Sequence, residues 1–553
     1  MPISLSIPLT ISLAKSLNRQ LAALVILFAL VGTACTRGNG DIEVELPGGK
    51  KTKLALKETL RVPATSEPPS LDWIKSSDTA SAEITSNLME GLTQYDLTDK
   101  ELGLKPALAL KWEATDSGRK WKFTLREGVL WSDGVPFTAQ HVADAFKHLL
   151  TRETAASYAY SLFGLKNAQA YNQGKVPWEE VGVKITAPSE ITFELDKPMS
   201  FFPYLLSHHA TFPVRLDVIK KAGDRWTEPE NIVTLGPYVL KAWQHDKIVF
   251  LERNEKYYDA KPAIKNIVFY MIQEIGTQIN LFDSGKLDAV HTLPSVELRK
   301  LRTRKEHREV MRLGTAYYGF NVTKPPLDNV LVRRAISMAI DRQQVVQMLA
   351  GGQVPLTSWV PTGMFGYEAE RGLSFNPDKA RELLKQAGFA DPSKVPKIEI
   401  RFNTNEDHAR IAENIQAQLK KNLGIEIELK NEEWKVFLNT LKIDPPQMFR
   451  FGWQGDFPDP DNFLNLMVSH SDNNHTKWKN PRFDELIAKG AGTLDREERK
   501  KIYSEAQKIL VEEDVPVVPL YIGVSHLLVS ERTENYPVNA MSIFSFKATR
   551  LKQ

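Results

Sequence analysis

The apolar run 21–31, preceded by Lys15 and Arg19 in an otherwise uncharged N-terminus and followed by Gly32, Thr33 and Ala34, leads directly to Cys35, the only cysteine of the 553-residue chain. A basic flank, an apolar stretch of about ten residues and small exit residues describe an export signal, too short to cross a hydrocarbon layer of ~30 Å. The body that follows must therefore fold outside the cytoplasm. With a single cysteine it has no internal disulfide to close its loops, so its stability has to come from burial, for which a chain of this length has room.

The pentapeptide Val31-Gly32-Thr33-Ala34-Cys35 resembles a bacterial lipobox, with Gly32 where that pattern usually carries Leu. The likeness implies that 1–34 is a lipoprotein signal peptide and that Cys35 is lipidated; an ordinary cleaved signal with a free thiol is the alternative. Several acyl chains, palmitate among them, meet the two-signal requirement for stable anchoring. Residues 35–53 are polar and read as a lipid-anchored linker, and the fold proper is expected from Leu54. Hydrophobic residues at 42% and charged residues at 25% are the proportions of a globular body of two or three domains. A net charge of +3 gives no reason to expect nucleic acid as a partner. No second apolar stretch approaches the length of a membrane span, so membrane contact is expected through the lipid anchor only.

Strand and helix periods alternate along the body. Trp121-Lys-Phe-Thr-Leu-Arg126 and Ile191-Thr-Phe-Glu-Leu195 alternate with period two, as does 57–63. Thr138 is a candidate N-cap for a helix over 139–150, whose Val142, Ala145, Phe146, Leu149 and Leu150 share one face. Helices are predicted over 81–89, 330–349, 377–387 and 408–422, the last two ending near Gly388 and Gly424, with strands at 397–402 and 425–429. Phe449-Arg-Phe-Gly-Trp453 reads as a strand with Arg450 on the opposite face from Phe449, Phe451 and Trp453, before a turn at Gln454-Gly455-Asp456.

Ordered motifs span some 400 residues of this body: Pro68-Pro-Ser-Leu-Asp72, Glu90-Gly-Leu92, Pro106-Ala-Leu-Ala109, Trp131-Ser-Asp-Gly134, Gly236-Pro-Tyr238, Asp341-Arg342, Asn422-Leu-Gly424, Glu433-Trp-Lys435, and Gly452-Trp453 with Asp456, Pro458 and Asp459. By these the chain resembles the peptide-binding family of bacterial extracytoplasmic solute-binding proteins (family 5), nearest to the oligopeptide receptors of ABC importers. The resemblance implies an α/β fold: a two-lobed, hinged periplasmic-binding-protein fold of type II (cluster C) with an extra domain in the first lobe. Chain order then suggests a first-lobe core of 54–89, 216–313 and 523–553, an extra domain of 90–215 and a second lobe of 314–522. The implied partners are short peptides and an ABC permease with its ATPase subunits, the receptor itself being a monomer on the periplasmic or cell-surface face. No cofactor is implied.

A free peptide is a zwitterion carrying a row of amide donors and acceptors, so its receptor needs an anion, a cation and a strand edge. By resemblance, Asp456 pairs with the α-ammonium, assisted by the Tyr158 hydroxyl; turn capping and core packing are the respective alternatives. Arg450 and His408 match positions that meet ligand carboxylates, against an internal salt bridge for Arg450 and helix capping for His408. Trp453 and Trp434 are expected to line side-chain pockets, or to be core, and Gln454 stands where the family has a disulfide cysteine. Leu441 replaces an arginine of the enteric-type receptors, and Ser77 and Ala350 replace charged residues near the ligand path. The amine end of the site is retained and the carboxylate end altered.

An exported hydrolase is the rival from another class. The chain has no Gly-x-Ser-x-Gly elbow, Walker-type loop or His-Glu-x-x-His helix, and the groupings His208-His209 and His470 with His475 lack metal-site spacing. No enzyme activity and no metal site are expected. Within the binding class, a signal peptide, muropeptide, haem or nickel ligand is the alternative.

Overall fold

The computed structural model describes residues 41–552 apart from 65, 77, 98, 100, 295, 296 and 472, and omits the side chains of 434 and 435. The export segment, Cys35 and Ser77 lie outside the described residues. The linker expectation for 35–53 needs correction. Ile42–Glu45 (β1) and Lys51–Leu54 (β2) form an antiparallel hairpin, so folding begins by residue 42. Val44 and Leu54 point inward and pack on Ala242, Phe250 and Val268. Ile42, Val44 and Leu46 alternate with Glu43 and Glu45, a short period-two pattern that the polar reading of 35–53 passed over.

The next strands are Thr59–Ala64 (β3), Thr93–Tyr95 (β4), Leu104–Pro106 (β5), Ala109–Thr115 (β6), Lys120–Leu125 (β7), Val183–Ala187 (β8) and Glu190–Glu194 (β9). Then come Tyr238–Gln244 (β10), Ile248–Arg253 (β11), Asn266–Met271 (β12), Ala289–Val290 (β13) and His307–Met311 (β14). The rest are Gly314–Phe320 (β15), Val354–Pro355 (β16), Ile398–Asn403 (β17), Ile427–Glu432 (β18), Met448–Gln454 (β19), Val517–Ile522 (β20) and Val524–Val529 (β21).

The first lobe is built on the sheet β10-β11-β12-β3, in which β3 runs parallel to β12 from Thr59↔Asn266 to Ala64↔Met271. A second, antiparallel sheet, β6-β7-β9-β8, is covered by the helix Ala139–Leu150, whose apolar face is buried with Phe146 4.9 Å from Phe193. Thr138 starts that helix, its N–H donating to His141 Nδ1 at 3.1 Å. Leu60 and Phe269 of the first sheet and Phe123 and Phe193 of the second belong to one continuous core.

The second lobe carries the sheet β16-β20-β15-β19-β17-β18. Tyr318 and Phe320 face a core shared with Ile336, Ile400 and Ile415, while Tyr317 faces another containing Trp359, Phe463 and Tyr503. The strand β19 pairs with β15 along its whole length, Gly314↔Gln454 to Phe320↔Met448, but its ladder to β17 stops at Arg401↔Phe449. Beyond that pair, no strand among the described residues covers the far edge of 450–454. The helix expected over 330–349 is two, Val330–Ala339 and Arg342–Leu349. Asp341 breaks it: its carboxylate accepts the N–H groups of Gln343 (2.9 Å) and Gln344 (3.2 Å), capping a new helix in place of continuing the old one.

Two crossovers join the lobes, one between β14 and β15 and one between β20 and β21, and they lie side by side, with Arg312 N–H donating to Gly523 O at 2.8 Å. Flanking them, β13-β21-β14 form a small sheet. At its rim the buried Asp288 carboxylate accepts from Arg61 Nη2 (2.9 Å), Nε (3.2 Å) and main-chain N–H (2.8 Å), and from Arg532 Nη1 (2.8 and 2.9 Å). This cluster stitches the N-terminal strand to the C-terminal segment.

Candidate functional site

Gly455 follows β19 at a point where a Cβ would come within 3.0 Å of the Phe463 ring and 3.2 Å of Leu313, so a larger residue there would have to push those side chains aside. Asp456 follows. Asp459 then caps the short helix Pro460–Leu464, accepting from Asp461 N–H at 2.9 Å with Pro460 in the first turn. That helix delivers Asn462, whose Oδ1 accepts both Trp453 Nε1–H (2.9 Å) and Asp456 N–H (3.1 Å), while its Nδ2 donates to Asp456 Oδ2 at 3.5 Å. Asn462 thus orients both the carboxylate and the indole.

Asp456, Trp453 and Asn462 line one side of a cavity of about 340 Å³; Tyr158, Tyr160, Phe201, Tyr204 and His208 of the first lobe line the other. The two sides meet where Phe201 stacks on Phe457 at 5.1 Å and 14°. Burial raises the Asp456 carboxyl above its ordinary pKa, opposed by the Asn462 hydrogen bond. No cation among the described residues pairs with it. Its field reaches across the cavity: Tyr160 is pushed up to about 12 by burial and then by Asp456, and Tyr158 is raised by the same two causes. The Tyr158 ring lies 4.5 Å from His208, which burial keeps neutral, and His209 Nδ1 is 2.8 Å from Trp73 O. These two histidines therefore serve packing.

A wider groove of about 520 Å³ lies elsewhere on the second lobe, but its charges are already matched, Lys324 to Asp444 at 2.7 Å and Arg401 to Glu399 at 2.5 Å. Of the two, the cavity at Asp456 is the one with an unmatched charge among the described residues.

Asp459 and Asp461 are structural. Arg499 donates to both oxygens of Asp459 at 2.6 Å and to Tyr503 Oη at 3.0 Å, and Tyr503 O–H donates to Asp461 at 3.3 Å. Burial, and then the charge of Asp459, push the Asp461 carboxyl up to about 7. A carboxyl raised on folding holds more protons in the native than in the unfolded state, so its contribution to stability falls as pH rises from its unfolded value of 3.8 towards 7. Asp461→Asn should therefore gain stability relative to the parent between pH 4 and pH 8, by roughly 2–4 kcal/mol. Melting temperatures of the two proteins across that range check it; a constant gap would contradict it.

The remaining candidates lie apart from this cavity. Arg450, opposite Tyr318 on β15, neighbours His408 and Tyr521. Burial and then Arg450 hold His408 down at about 4, and its Nδ1 is 3.4 Å from Asn403 O. No carboxylate among the described residues lies within ion-pair distance of Arg450. Gln454 is exposed opposite Gly314; Trp434 opens the helix Trp434–Ile443, but its side chain lies outside the description. Leu441 is fully buried against Phe437 and Phe449, and Ala350 ends the helix Arg342–Leu349 with φ +54°. The sequence reading missed Asn462, Phe201 and Tyr204. Only the Asp-Pro start of a helix just after Asp456 pointed towards Asn462.

Two hinged α/β lobes with an unmatched carboxylate in the cavity between them define a ligand receptor of the solute-binding type. The chain belongs to the bacterial extracellular solute-binding proteins, family 5, whose model matches residues 103–475. It is 33% identical over 518 residues to the oligopeptide-binding protein OppA of Bacillus subtilis, covering 91% of this chain and 93% of that one. To the periplasmic oligopeptide-binding protein OppA of Salmonella typhimurium it is 34% identical over 534 residues, covering 94% and 96%. Among solved structures, the murein tripeptide binding protein MppA in its unliganded open form matches with a TM-score of 0.82 at 29% identity, over 90% of this chain and 98% of that one.

Proposed function

We propose that this protein captures oligopeptides bearing a free α-ammonium between its lobes and hands them to an ABC permease with its own ATPase subunits, while tethered to the membrane through lipidated Cys35. The observation that carries the reading is Asp456, a largely buried carboxylate facing a cavity with no cation among the described residues. A desolvated charge is tolerated when its counter-charge arrives with the ligand. The uncovered edge of 450–454 supports pairing with an extended peptide through main-chain hydrogen bonds, which are blind to side chains and so allow mixed sequences. Arg450 stands at the far end of that edge and suits a ligand carboxylate. The stretch 450–456 spans roughly 20 Å, the reach of about six extended residues. The names of the two OppA relatives support the ligand class.

Mass spectrometry of the ligand carried by the signal-free protein tests this, followed by calorimetry of the stripped and refolded protein with a recovered peptide and its N-acetylated form. Short peptides with free amino termini, and a loss of affinity of about tenfold or more on acetylation, are expected. Haem in place of peptide, or equal affinity for the acetylated peptide, would overturn the reading. The same spectra separate mixed peptides from a murein tripeptide, the ligand that gives MppA its name.

A further inference from the structure

Two histidines that are 219 positions apart in the chain meet beside the crossovers, a grouping that sequence spacing could not reveal. Glu309 on β14 lies directly opposite His526 on β21, and His307, two residues before Glu309, projects from the same face. His307 Nε2 is 3.1 Å from His526 Nδ1, Glu309 Oε2 is 3.8 Å from the same nitrogen, and the three residues bring one donor atom each within 4.8 Å of one another. His526 Nε2 is 2.7 Å from Gly351 O. A carbonyl only accepts, so Nε2 carries the proton and Nδ1 turns its lone pair towards His307 and Glu309.

We propose that His307, Glu309 and His526 bind a divalent transition metal of the zinc class. Two imidazole nitrogens and a carboxylate oxygen are a zinc donor set, leaving a fourth position for water. Bonds of about 2.0–2.1 Å in a tetrahedron set neighbouring donors roughly 3.3 Å apart, close to the spacing of the two histidines. The Gly351 carbonyl behind His526 is the outer partner that fixes the tautomer of a liganding imidazole. In the metal-bound form His307 gives up its Nε2 proton to solvent and takes one on Nδ1, staying neutral, and the ion occupies the place between the two rings. One competitor is present: Arg302 Nη2 donates to Glu309 Oε2 at 3.0 Å and must yield that oxygen. Glu309 is exposed, which gives the ion its entry path, whereas His526 is buried. The site clamps β14 to β21 next to the pair Met311↔Val524, and through Gly351 it touches the second lobe.

Chelator-treated, untagged protein titrated with Zn²⁺ by calorimetry, and with Co²⁺ by visible absorption, tests the site. One equivalent bound, with the d–d bands of a four-coordinate nitrogen and oxygen site, is expected. Glu309→Ala, at an exposed position that leaves the fold intact, and His307→Gln should each weaken binding by roughly 10–100-fold. Arg302→Gln should tighten it. No uptake, or uptake unchanged in both Glu309→Ala and His307→Gln proteins of parental melting temperature, overturns the proposal.

Discussion

Replacing Asp456 with Ala weakens peptide binding by about 2–5 kcal/mol, the range for removing one partner of a buried charge pair. That is about thirtyfold or more in Kd. The effect is large because the cavity offers the ammonium no second anion: Asp461 also lines it, but is pushed up to about 7 and bonded to Tyr503, while Asp459 is held by Arg499. Asp456→Asn keeps the shape and the Asn462 contact, so it separates charge from packing. If the pair is an ion pair, acetylating the peptide's amino terminus and removing the Asp456 charge act on one interaction, and their losses do not add. Calorimetry of the four combinations reads this directly. Unchanged affinity in Asp456→Ala would end the assignment.

Asp288→Ala lowers folding stability by about 3–5 kcal/mol. The substitution strands two guanidiniums, those of Arg61 and Arg532, whose charges Asp288 now neutralises with five hydrogen bonds in a nearly dry place. Arg61 retains Gly285 O at 2.7 Å and Arg532 retains Thr59 O at 3.0 Å, which satisfies donors but not charge. Urea unfolding measures the change. None of Arg61, Asp288 and Arg532 lines the cavity, so peptide affinity under folding conditions stays at the parental level. Loss of affinity without loss of stability would show that the cluster acts on the hinge rather than on folding.

The elements with strong periods were legible. The helix Ala139–Leu150 and the strands around Trp121 and Ile191 follow from one-face and period-two patterns that burial then enforces. What escaped depended on contacts distant in sequence. The β1–β2 hairpin packs Val44 and Leu54, with Ile42 and Leu46 beside them, against a sheet some 200 residues away, and Asp341 divides a continuous apolar pattern with a side chain that prefers to cap. At the site, Asp456, Tyr158 and Trp453 do meet, although nothing local in the chain joins 158 to 456. Asn462, which orients two of them, has no signature of its own. Arg450 and His408 come together, but away from that cavity, because the strand alternation turns Arg450 to the other face from Trp453.

The uncovered edge of 450–454 also bears on what else could pair with this protein. A row of unmet amides recruits any extended chain, including the same strand of another copy, and a secreted protein with such an edge is a seed for filaments. Here residues 450–453 are only partly exposed, Arg450 places a charge on the row, and the wall formed by Tyr158 and Phe201 stands across the cavity at its end. A single thin strand can thread that gap, whereas a folded sheet, bringing its covering helices with it, cannot. The walls of the cleft therefore favour an extended chain over a folded sheet as the partner of that edge.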